Sequence, residues 1–250
     1  MFNVDAFLSY LINPYLLGGV GITIGLTVAT IAIGLVLALP LALGSMSTNR
    51  LFNAPARFYV WVFRGTPLLV QLVIIYTGLP QLGIRLDVLT SAVLALSLNE
   101  AAYLSETIRA GFSAVAKGQV EAAKALSLSR VATLRLVTLP QVIRIIIPPL
   151  GNSVNGLLKA TSLASVISME ELMRRSQVLM QMKFEVLELY CVAACYYLVL
   201  TTLWNLVQVR LERHYGKGYA PRSSKKAPIP RVAMARPWPI STSSSATRRP

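Results

Sequence analysis

From Leu16 to Gly44 the chain carries no Asp, Glu, Lys or Arg, and nearly every residue is Leu, Ile, Val, Ala, Gly or Thr. About 20 apolar residues already cross the hydrocarbon of a bilayer, so this stretch is a span whose ends tilt or protrude. The whole sequence agrees: 250 residues that are 54% hydrophobic and 14% charged, with mean hydropathy +0.58, expose too much apolar surface for one soluble core. Lipid is the solvent, and the fold class is an all-α integral membrane protein. The first fifteen residues hold one charge, Asp5, and lack the basic region of a cleavable signal peptide, so residues 1–15 read as a retained external segment.

Four further spans follow. The second, about Val60 to Leu79, contains the interruption Arg64-Gly65-Thr66-Pro67, where Pro removes a backbone donor. Its Arg64 either snorkels to an interface or serves gating or assembly. The third covers about Val88 to Phe112. The fourth starts after Leu139-Pro140 and is expected to break at Pro148-Pro149 before continuing through Gly151 to Met169. A polar connection, Glu170 to Glu188, leads to the fifth, about Leu187 to Val209. In the first span Gly21 and Gly25 form a Gly-x-x-x-Gly pair, which marks either a close helix contact or the ordinary abundance of Gly in membrane helices.

The formal charge of +14 does not mark a nucleic-acid binder, because the basic residues sit in loops and tail rather than along one face. Arg109, Lys117, Lys124, Arg130, Arg135 and Arg144 face a single Glu121 in the loop between the third and fourth spans, which makes that loop cytoplasmic. Arg210, Arg213, Lys217, Arg222, Lys225 and Lys226 follow the fifth span. An odd number of spans, with the N-terminus outside and the C-terminus inside, satisfies both clusters. Residues 16–215 form the membrane domain, and residues 216–250, rich in Pro, Ser, Arg and Lys, read as a disordered basic cytoplasmic tail held loosely by anionic lipid.

Chemistry is sparse. His214 is the sole histidine and has no nearby partner for a triad. Cys191 and Cys195 suit neither a disulfide nor a metal site, and no phosphate-binding Gly-x-x-x-x-Gly-Lys-Ser/Thr loop occurs. The chain is expected to be no enzyme and to hold no cofactor. Polar residues inside spans are costly and therefore functional by default. Asn99, Tyr103, Glu106 and Ala110 share a face of the third span, with Glu100 turned away, so an amide, a phenol and a carboxylate are placed to hold a zwitterion. Alternatively, Glu106 neutralises Arg109 at spacing i, i+3.

The segment between Glu121 and Pro140 is a polar island, predicted as two short helices turning at Ser127 and Ser129, the second marked by Leu134, Val137 and Leu139. It resembles the coupling loop of bacterial ABC transporter permeases, in which Glu-Ala-Ala precedes a Gly and then Leu-Pro. Glu121, Ala122, Ala123, Leu139 and Pro140 match, and Ser127 stands where that pattern has Gly. Arg64-Gly-Thr-Pro-Leu-Leu-Val-Gln71, Asn99-Glu-Ala-Ala-Tyr through Gly111, Gly118-Gln119, Pro148-Pro149 with Gly151-Asn152, and Lys159-Ala-Thr-Ser-Leu163 resemble, in series, the polar amino-acid importer permeases.

That resemblance implies five spans, a coupling loop at about 113–140, and site residues Asn99, Tyr103, Glu106, Thr161 and Ser162. It also implies a second permease subunit, identical or homologous, two ATPase subunits that hold the ATP and Mg, and an extracytoplasmic solute-binding protein. The inner membrane of a bacterium is the implied location, and a polar amino acid the cargo. Many such permeases have an acidic residue where Ala160 stands here, which weakens a lysine or arginine substrate; Lys159 binds a carboxylate or sits at an interface. The competing expectation is a stand-alone carrier or channel using Glu100 and Glu106, which would require internal inverted repeats that are not seen.

Overall fold

The computed structural model describes residues 2–215, and the tail expected at 216–250 lies outside them. Every regular element among the described residues is a helix. Helix α1 (Val4–Tyr10) is followed by α2 (Pro14–Met46), which starts with Asn13 as N-cap and Pro14 preset for the first turn. Then come α3 (Arg50–Gly65), α4 (Leu68–Val73, prolonged by π and 3-10 turns to Leu82), α5 (Val88–Ala114), α6 (Lys117–Ala125), α7 (Arg130–Ala132), α8 (Leu139–Ala160, prolonged by a 3-10 turn to Ile167), α9 (Leu172–Lys183) and α10 (Val186–Tyr215).

Core contacts fix the directions. Leu26 packs with Ala92 and Ala95, while Ala38 and Ala42 pack with Leu104 and Ile108, so α2 and α5 run parallel. A Cβ on Gly111 would meet Ile146 and Val142, while Ser153 faces Glu100, so α8 runs antiparallel to α5. Tyr10, Leu16, Leu189 and Val192 cluster, bringing α1 and the starts of α2 and α10 to one end. The other end holds α6, α7 and the basic last turn of α10.

Four segments are long and apolar enough to cross a membrane, and α3 with the α4 segment supplies a fifth crossing bent by 104°. The second span therefore does not run as one interrupted rod from Val60. Its helix begins at Arg50 and turns sharply at Thr66-Pro67, where Pro67 cannot donate and Thr66 is extended. Buried polar side chains hold the bend: Gln71 Nε2 donates to the Phe63 carbonyl at 3.0 Å and to Thr66 Oγ1 at 2.8 Å. Asn99 Nδ2 donates to Gln71 Oε1 at 3.0 Å and to the Phe63 carbonyl at 3.2 Å.

The expected break at Pro148-Pro149 is absent, since α8 runs through both prolines. The two missing N–H groups free the carbonyls of Arg144 and Ile145 but do not end the helix, because α8 is gripped from outside. Trp204 Nε1 of α10 donates to the Gly151 carbonyl at 2.8 Å, and Gln208 Nε2 to Asn152 Oδ1 at 3.2 Å. Prolines instead set two π turns, Ile74–Gly78 before Pro80 and Thr133–Thr138 before Pro140, where widening the turn accommodates a missing donor. The second half of the polar island is thus no separate helix: α7 winds through the π turn straight into α8. The polar connection after Met169 is also ordered, as α9.

Candidate functional site

Tyr103, Glu106, Thr107, Ala110, Gly111 and Ala114 lie on one stripe of α5, and Ile145, Pro149, Asn152 and Ser153 on the facing stripe of α8. With Arg64 they line an open cavity of about 710 Å³ that extends from mid-bundle to the end of α5 beside α6. Gly111 lets the helices meet closely at its flank, since a Cβ there would stand 2.4 Å from Ile146 Cγ2.

Charge in the cavity is paired but unequal. Arg109 Nε and Nη2 donate to the two oxygens of Glu106, each at 2.9 Å, a bidentate fork on neighbouring turns of α5. Arg64 Nη1 lies 3.7 Å from Glu106 Oε2, and its guanidinium sits 5.3 Å from the Tyr103 ring centroid. Two cations thus share one carboxylate, leaving a positive excess that suits an anionic group of a ligand. Glu106 thus lines the cavity and is paired with Arg109 at spacing i, i+3.

The expected site residues separate. Tyr103 and Glu106 line the cavity, whereas Asn99 is buried behind it as the clamp of the α3–α4 bend. Thr161 is fully buried, its hydroxyl donating to the Leu158 carbonyl, and Ser162 donates to the Lys159 carbonyl; both lie in the 3-10 turn beyond the cavity. Arg64, Thr107, Asn152 and Ser153 line the cavity without having been singled out for it. Asn152 and Ser153 are polar residues in an apolar span, a signal the sequence already carried.

The α6–α7 corner is a separate exposed feature. Leu128 N donates to the Ala123 carbonyl and Ser127 N to the Lys124 carbonyl, at 3.1 and 2.9 Å, closing α6 in a Schellman turn. Ser127 takes the left-handed position, φ 57°, that usually belongs to Gly. Ser129 Oγ then accepts from Ala132 N to start α7. Glu121 and Ala122 are exposed on α6 and Ala123 is buried beneath them. Leu126, Val131, Leu134 and Leu139 present apolar side chains to the outside, and Pro140 is exposed beside them.

The family model described as the binding-protein-dependent transport system inner membrane component matches residues 21–217. The L-cystine transport system permease protein of Bacillus subtilis (strain 168) is 44% identical over 201 residues, 80% of this chain and 86% of its own. The arginine transport system permease protein of the same organism is 41% identical over 201 residues, 80% of this chain and 92% of its own. A crystal structure of an amino acid ABC transporter with histidines superposes with a TM-score of 0.81 at 36% identity, covering 86% of this chain and 99% of that one. Matched by the family model from residue 21 to 217 and by relatives at 41% and 44% identity over most of their length, the chain belongs to the binding-protein-dependent transport system inner membrane components, as a permease of the amino-acid ABC transporter type.

Proposed function

We propose that this chain lines the pathway of an ATP-driven importer for a polar amino acid and is moved by a separate ATPase gripping its α6–α7 corner. The observation that carries the reading is the wiring of that corner to the cavity. Helix α5 passes into α6 across Val115-Ala116, and α7 passes into α8 without a break. The two walls of the cavity are therefore the two helices that a force on the corner displaces. ATP and Mg belong to the partner, and a full assembly has two such ATPases, a second permease subunit and an extracytoplasmic solute-binding protein. The basic end faces the cytoplasm of a bacterial inner membrane.

Within the cavity, Arg64 takes the substrate carboxylate, Tyr103 covers the adjoining apolar surface, and Glu106, held by Arg109, sets the field around both. Asn99 acts behind the wall by fixing the bend that aims Arg64. Thr161 and Ser162 meet the substrate further along α8, past the Ser153 end of the cavity lining. Ala122, Ala123, Ser127, Leu139 and Pro140 shape the corner, and Glu121 is its polar contact.

Glu121→Ala is the test. The variant should insert and still bring down the ATPase from mild detergent, yet amino-acid uptake into proteoliposomes should fall by about tenfold or more while ATP hydrolysis persists. Uptake at the normal rate would refute the corner as the coupling element, and absence of any associated ATPase would refute the importer.

A further inference from the structure

The cavity leaves one carboxyl without a task. Glu100 lies on α5 six residues before Glu106, about 9 Å along the helix axis, beyond the Tyr103 end of the cavity lining. It is 8% exposed, and its Oε1 has no hydrogen-bond partner among the described residues. A Cβ added to Gly34 of α2 would stand 3.5 Å from Glu100 Cβ and Cγ, so α2 backs it closely. On the α8 side the polar group facing it is the Ser153 hydroxyl, and Ser153 is itself a cavity wall. One serine thus separates from the pathway an acid that has no cationic partner among the described residues. An ionisable side chain with a free oxygen inside a membrane bundle is kept because something uses it.

The cavity itself offers no free anion. Both Glu106 oxygens are taken by Arg109, and Arg64 adds a further cation at 3.7 Å. Arg64 stands against Tyr103 and Glu106, Ser153 lines the same cavity, and the carboxyl that the Ser153 hydroxyl faces is Glu100, so a substrate with its carboxylate on Arg64 has room to extend along α5 and α8 to that group. Resting on the reading of this cavity as the pathway, we infer that the substrate is an amino acid with a cationic side chain and that Glu100 accepts that cation once α8 shifts Ser153 aside.

The experiment is binding of labelled L-arginine and L-glutamine to the purified complex with its ATPase subunits, for the wild type, Glu100→Gln, Glu100→Asp and Arg64→Ala. The wild type should favour L-arginine by about tenfold or more, Glu100→Gln should bind the two within about threefold, and Glu100→Asp should regain part of the preference. A wild type that does not favour L-arginine, or a Glu100→Gln variant that keeps the preference, overturns the inference. Arg64→Ala separates the two levels of argument: unchanged binding of both ligands removes the cavity itself, whereas weakened binding with the Glu100→Gln preference intact removes only Glu100. If Glu100→Gln does not assemble, dicyclohexylcarbodiimide labelling of Glu100 in the wild type decides. Labelling blocked by L-arginine and not by L-glutamine supports the assignment, and labelling unaffected by L-arginine overturns it.

Discussion

Glu171 is wholly buried where α9 begins, and its two oxygens tie three helices together. Oε1 accepts from Arg174 N at 2.8 Å as an N-cap, and Oε2 accepts from the Tyr197 hydroxyl of α10 at 2.8 Å and, more weakly, from Thr23 Oγ1 of α2 at 3.5 Å. Burial pushes the carboxyl above the ordinary glutamate value, while these hydrogen bonds pull against it. A folded-state value above the unfolded one means that the fold favours the protonated form. The contribution to stability is full below the usual glutamate value of about 4.3 and is lost as pH rises through the folded-state value. Glu171→Gln mimics the protonated form. Thermal midpoints in detergent should therefore converge for wild type and variant at acid pH, with the wild type falling behind as pH rises; curves that stay parallel would show that Glu171 is charged in both states. None of this was legible in the sequence, where Glu171 reads as one charge in a polar connection. Its burial depends on Thr23 and Tyr197, which are distant in sequence. Ser127 is the opposite case: a turn was legible from the run Ser127-Leu-Ser129, and its left-handed backbone is the conformation a Gly would relieve, at a cost of roughly 1 kcal/mol for the serine.

Among the helices, α2 shows how far a small-residue pattern can be trusted. Gly21 and Gly25, the legible Gly-x-x-x-Gly pair, have no atom within 4 Å of where a Cβ would be. On α2 the close approach to another helix's backbone is at Gly19, where a Cβ would stand 2.9 Å from Leu172 Cα and 3.0 Å from Arg175 Cδ. Arg175 explains the crowding: its Nη1 donates to the Tyr15 carbonyl at 2.8 Å and its guanidinium stacks 4.7 Å from the Tyr15 ring centroid. Gly19→Ala should therefore cost about 1–3 kcal/mol through backbone displacement, while Gly21→Ala and Gly25→Ala should stay within about 0.5 kcal/mol. Denaturant unfolding of the isolated subunit checks the contrast, and equal losses at the three positions would contradict it. Spans themselves were legible because long apolar runs admit little else. The positions of their breaks were not, because a proline supplies a missing donor and the neighbours decide the outcome. At Pro67, Gln71 and Asn99 stabilise a bend, whereas at Pro148-Pro149, Trp204 and Gln208 brace a continuous helix.

On the scale of the whole bundle, the two ends differ in charge because chain direction sorts the connections. The α6–α7 end collects Arg50, Lys117, Lys124, Arg130, Arg135, Arg210 and Arg213, against Glu121 and Glu212. At the other end Arg85, Arg174, Arg175 and Lys183 are offset by Asp5, Asp87, Glu170, Glu185 and Glu188. The bent second crossing keeps this sorting intact: α3 starts at the basic end, while Leu72 and Ile75 of the α4 segment pack with Leu26, Ala92 and Ala95 toward the other. Parity depends on where a connection begins and finishes, so a count made from apolar runs survives a 104° bend it could not foresee. Because excess Lys and Arg are retained on the cytoplasmic side, the α6–α7 corner should face the cytoplasm. With Cys191 and Cys195 replaced, a membrane-impermeant maleimide should label Ser127→Cys only in inside-out vesicles. Phe184→Cys, at a position 86% exposed at the opposite end, should label only in right-side-out vesicles. The reverse pattern would turn the cavity's open end away from the ATPase and separate the corner from the energy source that its connection to α5 and α8 requires.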